Sequence, residues 1–73
     1  MGGAMDVTPG RYMVISNYSN KWAVVQPGRA RALRVFISQR EAVNFAKKAA
    51  FRKAGVVSVH TTSGDVKDIF SYR

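Results

Sequence analysis

Residues 38–55 read Ser38-Gln39-Arg40-Glu41-Ala42-Val43-Asn44-Phe45-Ala46-Lys47-Lys48-Ala49-Ala50-Phe51-Arg52-Lys53-Ala54-Gly55. Ser38 and Glu41 have the spacing of a capping box, in which the Ser38 hydroxyl accepts from the Glu41 amide and the Glu41 carboxylate reaches back to the Ser38 amide. Gly55 stands where a left-handed C-terminal cap belongs, and Arg52 and Lys53 in the last turn suit the helix dipole. The spacing therefore predicts a helix over 39–54. At 100° per residue, Ala42, Val43, Phe45, Ala46, Ala49, Ala50 and Ala54 gather on one side, with Arg40, Glu41, Asn44, Lys47, Lys48 and Arg52 on the other. The apolar side is shallow and rich in alanine. Small side chains let a helix lie close on a sheet, which suits a two-layer domain better than a bundle. Phe51 breaks the pattern by projecting among Arg40, Lys47 and Lys48.

Strand signals lie on both sides of this helix. Tyr12, Met13, Val14 and Ile15 follow Arg11, and Asn17-Tyr18-Ser19-Asn20 supplies turn chemistry before a return strand from Lys21 to Gln26. Side chains alternate along a strand, so Trp22 and Val24 share one face and Ala23 and Val25 the other. Pro27-Gly28 ends that strand. Arg34-Val35-Phe36-Ile37 fits a third strand or an extended connector. Beyond the helix, Val56 to His60 and Val66 to Phe70 read as strands around a Thr61–Asp65 turn with Gly64 in the left-handed position. The order β-β-(β)-α-β-β implies a small two-layer α+β domain, an antiparallel sheet with one helix packed on one face. Residues 1–10 have three glycines, a proline and no periodicity, and are expected to be a flexible tail ahead of a single domain at 11–73. Met5 is an alternative start, which would make Met1 to Ala4 an appended segment.

Taken in order, Trp22-Ala23-Val24, Glu41-Ala42, Val57-Ser58-Val59-His60, Ser63-Gly64-Asp65-Val66 and Ser71-Tyr72 resemble the uncharacterised bacterial family designated domain of unknown function 2188 (DUF2188). That family shows W-x-V, T-x-x-E-A opening a helix, V-V-H, a D-G turn and a closing S-Y. The likeness spans Met13 to Tyr72. This chain has Ser38 for the usual threonine and Ser63-Gly64-Asp65 for the aspartate-glycine turn. The resemblance implies a compact α+β domain and brings no activity.

At 73 residues the chain has room for one core, which at this size yields only about 3–5 kcal/mol. It contains no cysteine and one histidine, so neither disulfides nor a zinc set can staple it. Pairing with a second copy, as a homodimer, is the expected remedy. No cation-plus-apolar leader and no apolar run of about 20 residues occurs, so a cytoplasmic protein without a membrane role is expected.

Catalysis lacks a positioned set. His60 is the only imidazole and reads as structural or superficial, Asp65 lies in a turn, and Asp68 is expected to face solvent. No enzyme activity, cofactor or metal is expected, and no glycine-rich phosphate cradle occurs. Charge is more informative: twelve Lys and Arg oppose four acids, for a net charge of +8, and nine of the twelve lie from Lys21 to Lys53. Such a field draws polyanions. The candidate nucleic-acid-binding residues are Arg29, Arg31 and Arg34 in a loop after Pro27-Gly28 and Arg40, Lys47, Lys48 and Arg52 on the helix. An extended loop would set Arg29 and Arg31 on one side, about 7 Å apart. Arginine favours bidentate recognition of phosphate or carboxylate, so the partner is nucleic acid, DNA or RNA, or alternatively an acidic protein.

Aromatic residues divide between core and surface. Trp22 is expected to be the main core residue of the sheet, with base stacking as the alternative. Phe51, Tyr12 and Tyr18 are candidate interface residues, and Tyr72 is a further rim candidate. A bare sheet face could serve either as a basic and aromatic platform for single strands or as a surface that pairs with its twin.

Overall fold

The computed structural model describes residues 10–17 and 20–73. Its elements are β1 (Arg11–Asn17), β2 (Lys21–Val25), β3 (Arg34–Phe36), α1 (Gln39–Arg52), β4 (Val56–His60) and β5 (Val66–Ser71). They form one five-stranded sheet in the order β3-β2-β1-β4-β5 with the helix on one face, an α+β domain. The expected all-antiparallel sheet is corrected at its centre, where β1 and β4 run parallel, Arg11 opposite Val56 and Val14 opposite Val59. Topology requires it. β3 is antiparallel to β2 and β2 to β1, so β3 points the same way as β1; α1 then carries the chain back across the sheet, and β4 joins the far side of β1 in that direction.

The predicted alternation holds where the helix covers the sheet. Val14, Val24 and Val57 are fully buried and Val59 and Tyr12 nearly so, against Ala42, Ala46 and Ala50 of the helix. Alanine at the three buried helix positions lets helix and sheet lie close, and buried valines fill the space between. Trp22 is half-buried, packed on the flank of this cluster with Phe36 and Phe45. The core is thus made of valine and alanine with one tyrosine, and Trp22 borders it rather than fills it. Its register position, between Ser16 and Phe36, places it near the β3 edge, where the helix gives partial cover.

Both helix ends are capped, with one correction each. Ser38 Oγ accepts from the Glu41 amide at 3.2 Å. Among the described residues the return arm of the box, from the Glu41 carboxylate to the Ser38 amide, does not form. At the other end, Gly55 N donates to Ala50 O at 2.7 Å and Ala54 N to Phe51 O at 3.3 Å, the two bonds of a Schellman motif. The left-handed residue of that motif is Ala54, with φ 52°, and not Gly55. Ala54 is exposed rather than on the buried helix face. Gly55 is needed for a different reason: a Cβ there would overlap the Gly10 carbonyl. Gly10 is buried and its carbonyl accepts from Val56 N at 2.7 Å, so it belongs to the domain and not to a tail. Residues 1–9 of the expected tail lie outside the described residues.

The β4–β5 hairpin turns at Gly64, φ 95°, as the sequence predicts. His60 braces it: Nδ1 lies 3.2 Å from Gly64 O and Nε2 3.1 Å from Ser58 Oγ. The carbonyl can only accept, so Nδ1 donates to it, and Nε2 pairs with the hydroxyl, which can either donate or accept. Among the described residues no helix is long and apolar enough to cross a membrane, and no cluster of three His, Asp or Glu could hold a metal.

Candidate nucleic-acid interface

β5 extends the sheet beyond the helix, so the apolar side chains on its helix-facing side are left to the long side chains of α1. Phe70 and Tyr72 alternate onto that side. Lys47 Nζ sits 4.0 Å from the centre of the Phe70 ring, a cation–π contact worth about 0.5–1 kcal/mol at an exposed site. Phe51 meets Tyr72 edge to face, ring centres 5.9 Å apart and planes at 89°. Between them lies a cleft of about 310 Å³ lined by Lys47, Lys48, Phe51, Arg52 and Tyr72. Three cations thus surround two aromatic rings. Phe51 remains 72% exposed, which for a ring of that size means that its partner in the fold covers only an edge.

A second cationic group lies at the opposite edge of the sheet. Arg34, on β3, holds its guanidinium 5.8 Å from the ring centres of both Phe36 and Phe45, which themselves pack 5.6 Å apart. Arg29 and Arg31 are exposed in the loop between β2 and β3. Arg29 N donates to Gln26 O at 3.1 Å and Leu33 N to Val24 O at 2.8 Å, so the loop closes on itself, and the chain bends at Ala30, Arg31 and Leu33. The spacing of an extended strand does not describe it. Arg40 is exposed near the start of α1.

Six of the seven predicted cations therefore form two groups and not one stripe, the cleft group beside β5 and the loop group beside β3, and Arg40 does not line the cleft. Four strand spacings separate these edges, about 19 Å. Among the described residues neither group forms an ion pair with Glu41, Asp65 or Asp68, so their field is uncompensated. Of the predicted interface residues, Phe51 is at the surface as expected. Tyr12 is 6% exposed and is a core residue, because it alternates with Val14 onto the helix side. Tyr18 lies outside the described residues. The sequence reading does not single out Phe70 and gives Tyr72 only a rim position; the alternation of Phe70, Ser71 and Tyr72 along one strand is the sign that both rings share a face.

The family described as "Uncharacterized protein conserved in bacteria (DUF2188)" matches residues 11–72. The chain belongs to this family. No curated protein and no solved structure matches it. The DUF2188 match runs from the first residue of β1 to Tyr72, so the sheet, the helix and both cationic groups all fall within the family domain.

Proposed function

We propose that the protein binds nucleic acid, holding phosphates on Lys47, Lys48, Arg52 and the loop arginines while Phe51 and Tyr72 offer a ring surface to an unpaired base. The observation that carries this reading is the cleft, because it joins unneutralised cations to an exposed aromatic face in a volume of about 310 Å³. Phosphate needs the former, and a base released from its stack needs the latter. A duplex keeps its bases stacked and can use only the cations. Single strands are therefore the preferred form, DNA or RNA.

Fluorescence polarisation on single-stranded and duplex oligonucleotides over a salt series tests the proposal. The slope of log affinity on log salt is near −0.7Z for single strands. One group of three cations gives about −2 and both groups about −4. Substituting Phe51→Ala should weaken single-strand binding by about 1–3 kcal/mol, the stacking contribution of one base, with little effect on duplex. No binding to either form at about 50 mM salt, where counterion release is strong, would sink the proposal. The cations would then be assigned to an acidic protein, whose carboxylates ask for the same guanidinium geometry.

A further inference from the structure

We infer that the sheet face opposite the helix is a self-association surface that packs on the same face of a second copy. Strand alternation and register assign that face its residues. Val25, Met13, Ser58 and Ile69 stand in one row across four strands, and Val35, Ala23 and Ile15 in the next. The expectation of basic and aromatic side chains here is corrected: the two rows are aliphatic apart from Ser58, with no Lys or Arg, and the second continues past Ile15 to His60, whose ring is held by Ser58 and Gly64, and to Val66. Val35 is 47% and Ile69 64% exposed, and α1 packs on the other side of the sheet.

Three observations favour a second copy as the occupant. The first is the thinness of the core: among the described residues no fully buried side chain is larger than valine, while on this face Val35 and Ile69 are exposed and Met13, Ile15 and Val25 half-buried, with Ala23 buried among them. A partner of like composition would supply the missing layer, as in two-sheet sandwiches whose inner faces stand about 10 Å apart. The second is area. Five strands about 4.8 Å apart and about five residues long present roughly 400 Å² in projection, so two faces approach the roughly 1,000 Å² total of a specific interface once side-chain relief is included. The third is charge segregation. The rows contain no acid to attract a basic partner and no Lys or Arg to attract an acidic one; among the described strand residues alternation places the cations Arg11 and Lys21 on this face, at the strand ends. Both cationic groups lie on the helix side or in the loop, so pairing turns them outward on opposite surfaces.

Apolar pairing of two highly positive chains carries an unusual salt signature. Salt screens their mutual repulsion and should tighten the dimer, whereas it loosens phosphate binding. Sedimentation equilibrium of the full chain at micromolar loading should give twice its 8.1 kDa mass, with dissociation at low salt. The single substitutions Val35→Lys and Ile69→Lys alter positions outside the core and should each return the mass to 8.1 kDa while leaving the far-ultraviolet circular dichroism unchanged. The wild-type melting temperature should rise with protein concentration, and those of the variants should not. Oligonucleotide binding by the Ile69→Lys monomer would show the two surfaces to be independent. A wild-type mass of 8.1 kDa at every loading and salt overturns the inference, as does a dimer that survives both substitutions. Wild-type monomer that co-sediments with phosphatidylglycerol vesicles, and loses this with Val35→Lys, would give the face to a lipid surface and overturn it equally.

Discussion

Ala54 is the residue whose conformation the sequence conceals. A side chain in the left-handed region brings Cβ against the following carbonyl, at about 1–2 kcal/mol, and a Schellman motif normally places glycine there. Here glycine comes one residue later, at Gly55, because the Gly10 carbonyl occupies the space a Cβ would need. Two adjacent positions thus make competing demands for the residue without a side chain, and steric overlap outranks dihedral strain. Ala54→Gly should raise stability by about 0.5–1 kcal/mol, since part of the relief is lost to the greater freedom of glycine in the unfolded chain. Gly55→Ala should lower it by more than Ala54→Gly raises it, because the Gly10–Val56 hydrogen bond must move with the backbone. Chemical denaturation of both variants checks the pair. Equal and opposite effects, or a destabilised Ala54→Gly, would reject the assignment. A sequence pattern places a cap by residue type, and contact with a segment forty-five positions away is not visible in it.

At the scale of elements, local chemistry made the helix readable and non-local pairing hid the sheet order. The Ser38 cap, the apolar stripe and the end of α1 within two residues of its predicted position all follow from neighbours within four residues. Ser38→Ala should cost about 0.5–2 kcal/mol, and at 4–8 °C per kcal/mol for a domain of this length a thermal melt will resolve it. A melt superimposable on wild type would assign the start of α1 instead to Gln39, whose Nε2 donates to His60 O at 3.4 Å and whose Oε1 accepts from Lys67 Nζ at 3.4 Å. Strand boundaries were legible for the same local reasons. The parallel β1–β4 pair was not, because nothing near either strand records which side of β1 the chain returns to. Trp22 departs from expectation under the same limit: its size argues for a central place, and its neighbours across the sheet set it on the flank.

Over the whole molecule, charge and apolar area sort onto separate surfaces, and this separation organises the binding proposal. The cation count was plain in the sequence, but its division into two groups depends on strand order, which puts β3 and β5 at opposite edges. Division has a measurable consequence. An oligonucleotide of about four residues, the small end of single-strand site sizes, fits the cleft alone, whereas one of about sixteen can cross α1 and reach the loop. Arg29→Ala with Arg31→Ala should therefore leave the short ligand's affinity unchanged and flatten the long ligand's salt slope by about 1.4, two phosphates at 0.7 each. Lys48→Ala with Arg52→Ala should weaken both lengths, and the two double substitutions should add in free energy on the long ligand because the groups share no partner. Loss of short-ligand binding in the loop variant would mean that the loop, not the cleft, is the primary seat. Strong non-additivity on the long ligand would mean that the two groups act as one surface despite the helix between them.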